Sequence, residues 1–266
     1  MKIGFIGAGN MATAIIGGLL GADVCPADIF VYDMDAVKLD VFRAKGIAVQ
    51  PDSSAVTKNC DIIVLAVKPQ NYSEVLAEIA SSADVSKTFV SIAAGITIDF
   101  VRKGLSVECP VVRVMPNTPL LVGKGATALC FSDGVDAKVK EVVTSMFSSS
   151  GAVEEFTEDK MDAIISVNGS SPAYFYLFAK AMADYAESVG IDRACAMNLI
   201  CAAMEGSAEM LRTSGDDPDT LIKKVSSKGG TTIEALNKFY ENNFENTIKE
   251  AMAACTKRAG ELAAEA

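Results

Sequence analysis

The chain opens on an apolar run that leads directly into a glycine-rich turn. Residues 2–11 read KIGFIGAGNM, and so short an apolar stretch, interrupted by glycine, is typical of a buried β-strand. Gly7, Gly9 and Ala12 complete the pattern G-x-G-x-x-G/A, and residues 11–22 have helical spacing. A strand, a tight turn and a helix in this order predict an α/β domain that holds a dinucleotide pyrophosphate at the helix N-terminus. The residues expected to contact it are Gly7, Gly9, Asn10, Met11 and Ala12.

Two patterns divide the rest of the chain. Short strand-like runs such as DIIVLAV first alternate with helix-like runs, which predicts a parallel, doubly wound sheet. Later segments all have helical spacing, and Asp192 and Asp217 stand where helix N-caps are expected. Several of these helices are apolar over more than one stripe, which indicates burial against a second subunit. We therefore expect an α/β fold, with a Rossmann-type domain over residues 1–158 and an all-helical dimerisation domain over residues 159–266.

The composition excludes several classes of function. A formal net charge of −10 argues against nucleic acid as a partner. The sequence has no histidine, which excludes Ser-His-Asp and Cys-His catalysis and histidine metal sites, and we expect no metal. The seven cysteines never show C-x-x-C spacing, which predicts reduced, mostly buried thiols in a cytoplasmic protein. No apolar stretch approaches the roughly 18 residues that span a bilayer, and we expect neither a signal peptide nor a membrane partner.

A carboxylate follows the second predicted strand. IFVYD ends in Asp33, near the distance from the glycine turn at which an acidic side chain commonly binds the adenosine ribose. Such a carboxylate repels a 2′-phosphate, so Asp33 modestly favours NADH over NADPH. The alternative is that Asp33 is an exposed turn residue, since turns favour aspartate.

Five motifs carry a resemblance to a known family. GFIGAGNMA, AVKP at residues 66–69, SIAAGI, MPNTP at residues 115–119 and SSKGGTT are similar to motifs of pyrroline-5-carboxylate reductases, in the same order over most of the chain. The resemblance implies that the first domain binds NADPH or NADH, that the helical domain dimerises, and that the substrate lies between them. It also implies reduction of 1-pyrroline-5-carboxylate to L-proline, the last step of proline biosynthesis.

The resemblance assigns further cofactor residues to the carboxyl ends of the strands, where doubly wound sheets bind ligands. Small alanines and glycines there leave room for the nicotinamide, and Asn117 offers its amide to the carboxamide. Pro69 disfavours helix at Lys68 and directs that side chain into the cleft. Two alternatives stay open. Lys68 could be an exposed cation with no ligand, and the prolines around Asn117 could serve only to stiffen the loop. The residues assigned are Ser53, Ala66, Val67, Lys68, Pro69, Ala94 and Asn117.

The segment VSSKGGTTIEAL, residues 225–236, places two glycines and four hydroxyl side chains in an otherwise helical region. We call it the glycine–threonine segment. Consecutive N–H groups at a glycine-rich helix start bind anions, so we expect the substrate carboxylate here. Thr232 is expected to orient the ring nitrogen and not to act as a base. A helix-breaking turn with incidental hydroxyls is the alternative. The expected substrate residues are Ser227, Gly229, Gly230, Thr231 and Thr232.

The expected chemistry needs no imidazole. A protonated cyclic imine is electrophilic and carries its own proton, so the enzyme has only to position it for hydride transfer. Three positions depart from the family pattern: Lys228 replaces a proline, Ser171 a glycine and Ser53 an asparagine. They leave the exact cyclic imino acid and the cofactor preference open.

Two other functions stay possible from the sequence. One is a 3-hydroxyacid dehydrogenase-like oxidoreductase, in which Lys180 would be catalytic. The other is a regulatory protein that binds NAD(P)H without turnover. We expect a homodimer, or a higher assembly built from dimers.

Overall fold

Strands and helices alternate through the first part of the chain, and helices alone follow. The computed structural model describes residues 1–265, with side chains through residue 262. The strands are β1 (Ile3–Ile6), β2 (Ile29–Tyr32), β3 (Ala48–Val49), β4 (Ile62–Leu65), β5 (Thr88–Ser91), β6 (Val111–Met115), β7 (Gly125–Phe131) and β8 (Gly151–Glu155). The helices of the first part are α1 (Asn10–Gly21), α2 (Ala36–Ala44), α3 (Ser53–Asn59), α4 (Tyr72–Ile79), α5 (Ile98–Leu105) and α6 (Ala137–Ser148).

The later helices begin with a single turn, α7. They are α7 (Met161–Ile164), α8 (Ser171–Ser188), α9 (Arg193–Thr213), α10 (Pro218–Val225), α11 (Thr231–Glu241) and α12 (Phe244–Glu265). A π-helical turn, Ile165–Gly169, connects α7 to α8. No described helix is both long enough and apolar enough to cross a membrane.

The sheet has the order β3-β2-β1-β4-β5-β6-β7-β8. Its first six strands are parallel, and the order reverses between β1 and β4, where doubly wound sheets bind ligands. The strand β7 runs antiparallel to β6, because only the short turn Thr118–Val122 connects them and a parallel partner needs a longer crossover. The strand β8 pairs in parallel with β7, so the last two strands of the sheet run opposite to the first six. The predicted Rossmann-type sheet is confirmed, with these two reversed strands as its departure from a fully parallel arrangement.

The sheet is buried on both faces, which explains the continuous apolar runs of its strands. Phe5 and Val90 belong to the core on one face, and Ile63 and Phe89 belong to the core on the other. All four side chains are fully buried. This double core fixes the strand ends, and with them the turns that follow.

The chain forms two compact units: Met1–Pro172 with the described residues from Ala253 onward, and Ala173–Met252. The second unit is all-helical, as predicted. Its α8 and α9 share a small core of alanines and Ile200. The rings of Phe178, Phe239 and Phe244 form a second cluster, with centroids 5.0 to 6.3 Å apart.

All seven cysteines are free thiols, but the prediction that most are buried is wrong. Only Cys60, Cys109 and Cys130 are buried; three others are exposed and one is half-buried. Burial raises the pKa of Cys60 to about 12, so that thiol stays protonated. Two of the exposed thiols, Cys195 and Cys201, lie on α9, whose core is too small to cover them.

Candidate cofactor and substrate sites

Gly7 is required by the backbone itself. It follows β1 with a φ of +103°, and a Cβ there would come within 2.6 Å of the Ala66 carbonyl oxygen. Its N–H donates to the Tyr32 carbonyl at 2.8 Å. Gly7 therefore allows the turn to pass between the ends of three neighbouring strands.

Gly9 has no such structural requirement. It is the N-cap of α1 with a φ of −76°, which any residue adopts, and a Cβ there would meet no protein atom within 4 Å. Asn10 beside it is exposed and Met11 is half-buried, whereas Ala12 is buried against the core. The open space in front of α1 fits a group that needs close backbone approach, as a pyrophosphate does.

Two of the described helices begin at a glycine and have no capping side chain. Glycines, Gly9 and Gly230, are the N-caps of α1 and α11, and neither helix receives a side-chain cap bond. The first N–H groups of these two helices therefore remain available to an anion. The helices α4 and α7 also receive no side-chain cap bond, but they follow Asn71 and Lys160 and not a glycine. In six other helices a side chain accepts such a bond, and Asp192 and Asp217 do so as predicted. The capping residues of α2, α3, α5, α6, α9 and α10 are Asp35, Asp52, Thr97, Asp136, Asp192 and Asp217.

Asp33 lies beside the glycine turn. Its Oδ2 accepts the Ala8 N–H at 2.8 Å, and its Oδ1 accepts the Asp35 N–H at 2.9 Å. Lys38 Nζ lies 3.4 Å from the same Oδ1, and the Asp33 side chain is only 10% exposed. The residue is thus more than an exposed turn aspartate, because its carboxylate is fixed at the edge of the predicted pyrophosphate site.

Ser53 does not fit its predicted role. Its side chain is 1% exposed, and its hydroxyl donates to Glu78 Oε2 at 3.3 Å. It is the first residue of α3, where it packs towards α4. A contact between this hydroxyl and the adenosine ribose is therefore not supported.

The other predicted cofactor residues gather at the carboxyl edge of the sheet. Ala66 and Val67 directly follow β4 and are half-buried, and Lys68 is exposed with an extended backbone before Pro69. Ala94 follows β5 and is also half-buried. Because β1, β4 and β5 are adjacent and parallel, these residues lie along the same edge as the glycine turn.

Asn117 forms hydrogen bonds within the protein at the end of β6. Its side chain is 7% exposed, its Oδ1 accepts the Ala126 N–H at 2.9 Å, and its Nδ2 donates to the Asn168 carbonyl at 3.1 Å. Asn168 in turn donates to the carbonyls of Met115 at 2.7 Å and Ala126 at 3.0 Å. These two residues, the asparagine pair, join the end of β6 to the start of β7 and to the π-helical turn. Both amide atoms of Asn117 bond within the protein, which gives the residue a structural role; its contact with a carboxamide stays a prediction.

Replacing Asn117 with Ala should therefore lower stability more than cofactor affinity. The change leaves the Ala126 N–H without this partner and leaves the Asn168 carbonyl only the longer bond from Ser171 Oγ at 3.4 Å, which costs about 2 kcal/mol in the free energy of unfolding. Urea unfolding measures that loss, and calorimetric titration measures the affinity for NADPH. Unchanged stability together with a large loss of affinity would support the predicted carboxamide contact.

Tyr72 was not singled out from the sequence, yet it organises the same edge. It is fully buried; its hydroxyl donates to the Leu65 carbonyl at 2.7 Å and lies 3.0 Å from Ser91 Oγ. These bonds connect the ends of β4 and β5. Burial raises the pKa of Tyr72, so its hydroxyl stays protonated. In the sequence Tyr72 has the spacing of an ordinary apolar core residue of α4. The available signal was that a core tyrosine needs a hydroxyl partner.

The glycine–threonine segment forms the turn between α10 and α11. Gly229 has a φ of +72°, and a Cβ on Gly230 would come within 2.6 Å of Ser227 Oγ. The Gly230 N–H donates to the Ser227 carbonyl at 3.0 Å. Local geometry thus accounts for both glycines. It leaves Thr231 and Thr232 exposed in the first turn of α11, where the helix N–H groups lack a capping side chain.

Lys180 has the environment of a surface residue. Its Nζ lies 2.6 Å from Asp184 Oδ2, and its side chain is 66% exposed. Arg193 bonds to the other oxygen of Asp184 at 2.8 Å. A solvated ion pair of this kind is a poor candidate for the catalytic lysine of a 3-hydroxyacid dehydrogenase.

The predicted cofactor residues all belong to the first compact unit, and the predicted substrate residues all belong to the second. Within each unit the structure brings its set together, apart from the side chains of Ser53 and Asn117.

Known proteins are similar to this chain over nearly its full length. The family model for pyrroline-5-carboxylate reductase dimerisation matches residues 158–262, and a model for coenzyme F420-dependent NADP oxidoreductases matches residues 2–95. The pyrroline-5-carboxylate reductase of Escherichia coli (strain K12) is 39% identical over 263 residues, 98% of each chain.

Solved structures agree with this match. The crystal structure of Plasmodium falciparum pyrroline carboxylate reductase with NADP bound has a TM-score of 0.90 and 30% identity, and covers 99% of this chain and 98% of that one. The structure of a pyrroline-5-carboxylate reductase from Coxiella burnetii has a TM-score of 0.90 and 33% identity, with 98% of each chain covered. The chain belongs to the pyrroline-5-carboxylate reductase family.

Proposed function

We propose that this protein reduces 1-pyrroline-5-carboxylate to L-proline with NADPH or NADH, as the last step of proline biosynthesis in the cytoplasm. The observation that carries the proposal is the second glycine-capped helix start. A Rossmann-type sheet accounts for one open helix N-terminus, that of α1. The open N-terminus of α11, with hydroxyls around it, supplies a further anion site for a small carboxylate.

In this proposal the cofactor domain, residues 1–158, holds the dinucleotide. The N–H groups at the start of α1 bind the pyrophosphate, and Asp33 accepts a hydrogen bond from the adenosine ribose. The edge formed by Ala66, Val67 and Ala94 leaves room for the flat nicotinamide ring, which supplies the hydride when bound. The asparagine pair and Tyr72 keep this edge rigid.

The substrate domain, residues 159–266, holds the imine. The first N–H groups of α11 and the hydroxyls of Ser227 and Thr231 bind the carboxylate, and Thr232 orients the ring nitrogen. The protonated imine needs no proton from the protein, which is consistent with a chain that has no histidine. The protein then has to hold the imine carbon against the nicotinamide. Positioning of this kind lowers the activation barrier by several kcal/mol, since effective molarities of about 10⁵ M or more are known.

A spectrophotometric assay tests the proposed reaction against the two rivals. Purified protein with NADPH or NADH should oxidise the cofactor when 1-pyrroline-5-carboxylate is added, and should not reduce NAD⁺ or NADP⁺ with 3-hydroxy acids. Turnover only with 3-hydroxy acids would favour the dehydrogenase. Binding of dinucleotide with no turnover of either substrate would favour the regulatory protein.

We also propose that the protein is a homodimer formed through its helical region. The helices α8 and α9 share only a small core and expose large apolar side chains. Leu177 is 68% exposed, Tyr185 70% and Leu199 69%. Apolar surface of this extent normally marks an interface, and a symmetric dimer is the commonest way to cover it. Dimers of this kind could associate further.

Charged substitutions on this surface should dissociate the dimer. The double variant Leu177→Glu, Leu199→Glu places carboxylates on the proposed interface, and sedimentation at micromolar concentration should show a monomer with little activity. Val85→Glu is the control, because Val85 is 66% exposed but lies in the first unit. A wild-type protein that sediments as a stable, active monomer would contradict the dimer.

A further inference from the structure

We infer that Lys38 is a cofactor-specificity residue: it admits the 2′-phosphate of NADPH beside Asp33, so that this chain can use both dinucleotides. The inference rests on the proposed function for its cofactor, but it concerns binding and not turnover. The two carboxylate oxygens of Asp33 face different partners.

Asp33 Oδ2 faces the glycine turn, where it accepts the Ala8 N–H at 2.8 Å. Asp33 Oδ1 faces α2, where the Asp35 N–H and Lys38 Nζ lie at 2.9 and 3.4 Å. Lys38 Nζ also lies 3.9 Å from Asp35 Oδ2. One ammonium group therefore lies between two carboxylates at the end of β2, on the side of Asp33 away from the glycine turn.

This arrangement changes what Asp33 does to a phosphate. A carboxylate alone at this position repels a 2′-phosphate, which selects NADH. A neighbouring ammonium lowers that repulsion and can itself donate a charge-assisted hydrogen bond to the phosphate. The Lys38 side chain is 47% exposed on a flexible stem, so it can turn from Asp33 Oδ1 to an incoming phosphate.

The surroundings fit an adenosine at this place. Met34 and Val37 lie between Asp33 and Lys38 in the sequence and are 88% and 77% exposed. They offer apolar surface to a flat base beside the charged groups. With NADH, Lys38 can stay on Asp33 while Asp33 accepts a ribose hydroxyl, and with NADPH, Lys38 can bind the phosphate.

Calorimetric titration with NADPH and with NADH, in the absence of imine, tests the inference. Lys38→Met, which keeps length but removes charge, should weaken NADPH about tenfold, the loss expected for one charge-assisted hydrogen bond. Its affinity for NADH should change by less than about twofold, because NADH has no 2′-phosphate for Lys38 to bind. Lys38→Arg should retain NADPH binding. Lys103→Met is the matched control, since Lys103 forms a similar exposed pair with Asp99 at 2.8 Å on α5.

Two results would overturn the inference. Lys38→Met could leave NADPH affinity unchanged, or it could weaken both dinucleotides equally, which would mean that Lys38 only supports the local structure. Failure of the proposed reaction is a separate result: a protein that shows the expected binding differences but does not reduce the imine refutes the reaction and supports Lys38. A wild-type protein that binds NADH but not NADPH overturns the inference alone, and one that binds neither dinucleotide overturns both.

Discussion

Gly9→Val is expected to abolish dinucleotide binding while leaving the fold intact. The φ of −76° at Gly9 suits valine, and no protein atom lies within 4 Å of a Cβ there, so the folded chain accommodates the side chain. The same side chain fills the space in front of the first N–H groups of α1, where the pyrophosphate must approach. We expect a loss of NADPH and NADH affinity of more than about a hundredfold, because the charged phosphates lose several backbone hydrogen bonds at once.

Two glycines of the same region serve as controls for this variant. Gly17→Ala, at an exposed position of α1 with open space around it, should leave binding unchanged. Gly7→Ala should instead damage the fold, because of its φ of +103° and the Ala66 carbonyl 2.6 Å from the new Cβ. Wild-type affinity in a folded Gly9→Val protein would mean that the pyrophosphate does not bind at α1.

Thr232→Ala should lower kcat/KM for the imine about tenfold to a hundredfold, the range expected for one lost hydrogen bond to a charged substrate, about 1.5–3 kcal/mol. Thr232 is exposed in the first turn of α11, so the change should leave the fold unaltered. Some turnover should remain, because the hydride step needs no proton from the protein. Steady-state kinetics with saturating NADPH measures the effect, and calorimetry should show unchanged cofactor affinity.

Thr247→Ala is the matched control for this variant, because Thr247 is likewise an exposed threonine in the first turn of a helix, α12. Gly230→Val is a poorer test, since its Cβ would crowd Ser227 Oγ. Complete loss of chemistry in folded Thr232→Ala enzyme would make Thr232 an essential acid. Loss of cofactor affinity instead would place the glycine–threonine segment in the cofactor site.

The parts of the fold that could be predicted from the sequence depend on local patterns. The strand, turn and helix around Gly7 and Gly9 follow from apolar spacing and glycine positions, and the same spacing separates the sheet from the helical region. The caps Asp192 and Asp217 were predicted because a cap acts within its own helix turn.

The parts that could not be predicted depend on partners far away in the chain. Asn117 bonds to Asn168, 51 residues later, and Ser53 bonds to Glu78, 25 residues later. In each case a polar side chain that seemed free for a ligand is satisfied by the protein. The role of Tyr72 was missed for the same reason, since Tyr72 begins α4 and its partner Ser91 ends β5, 19 residues later. Sequence spacing gives no information on such contacts.

The most direct test of the proposed reaction is to quantify its product. Purified protein is incubated with NADPH or NADH and 1-pyrroline-5-carboxylate, and L-proline is measured by chromatography alongside cofactor oxidation. We expect one molecule of L-proline for each molecule of cofactor consumed, and neither change with Gly9→Val protein. Cofactor oxidation without proline, or no reaction with either cofactor in a protein that binds both, would contradict the account.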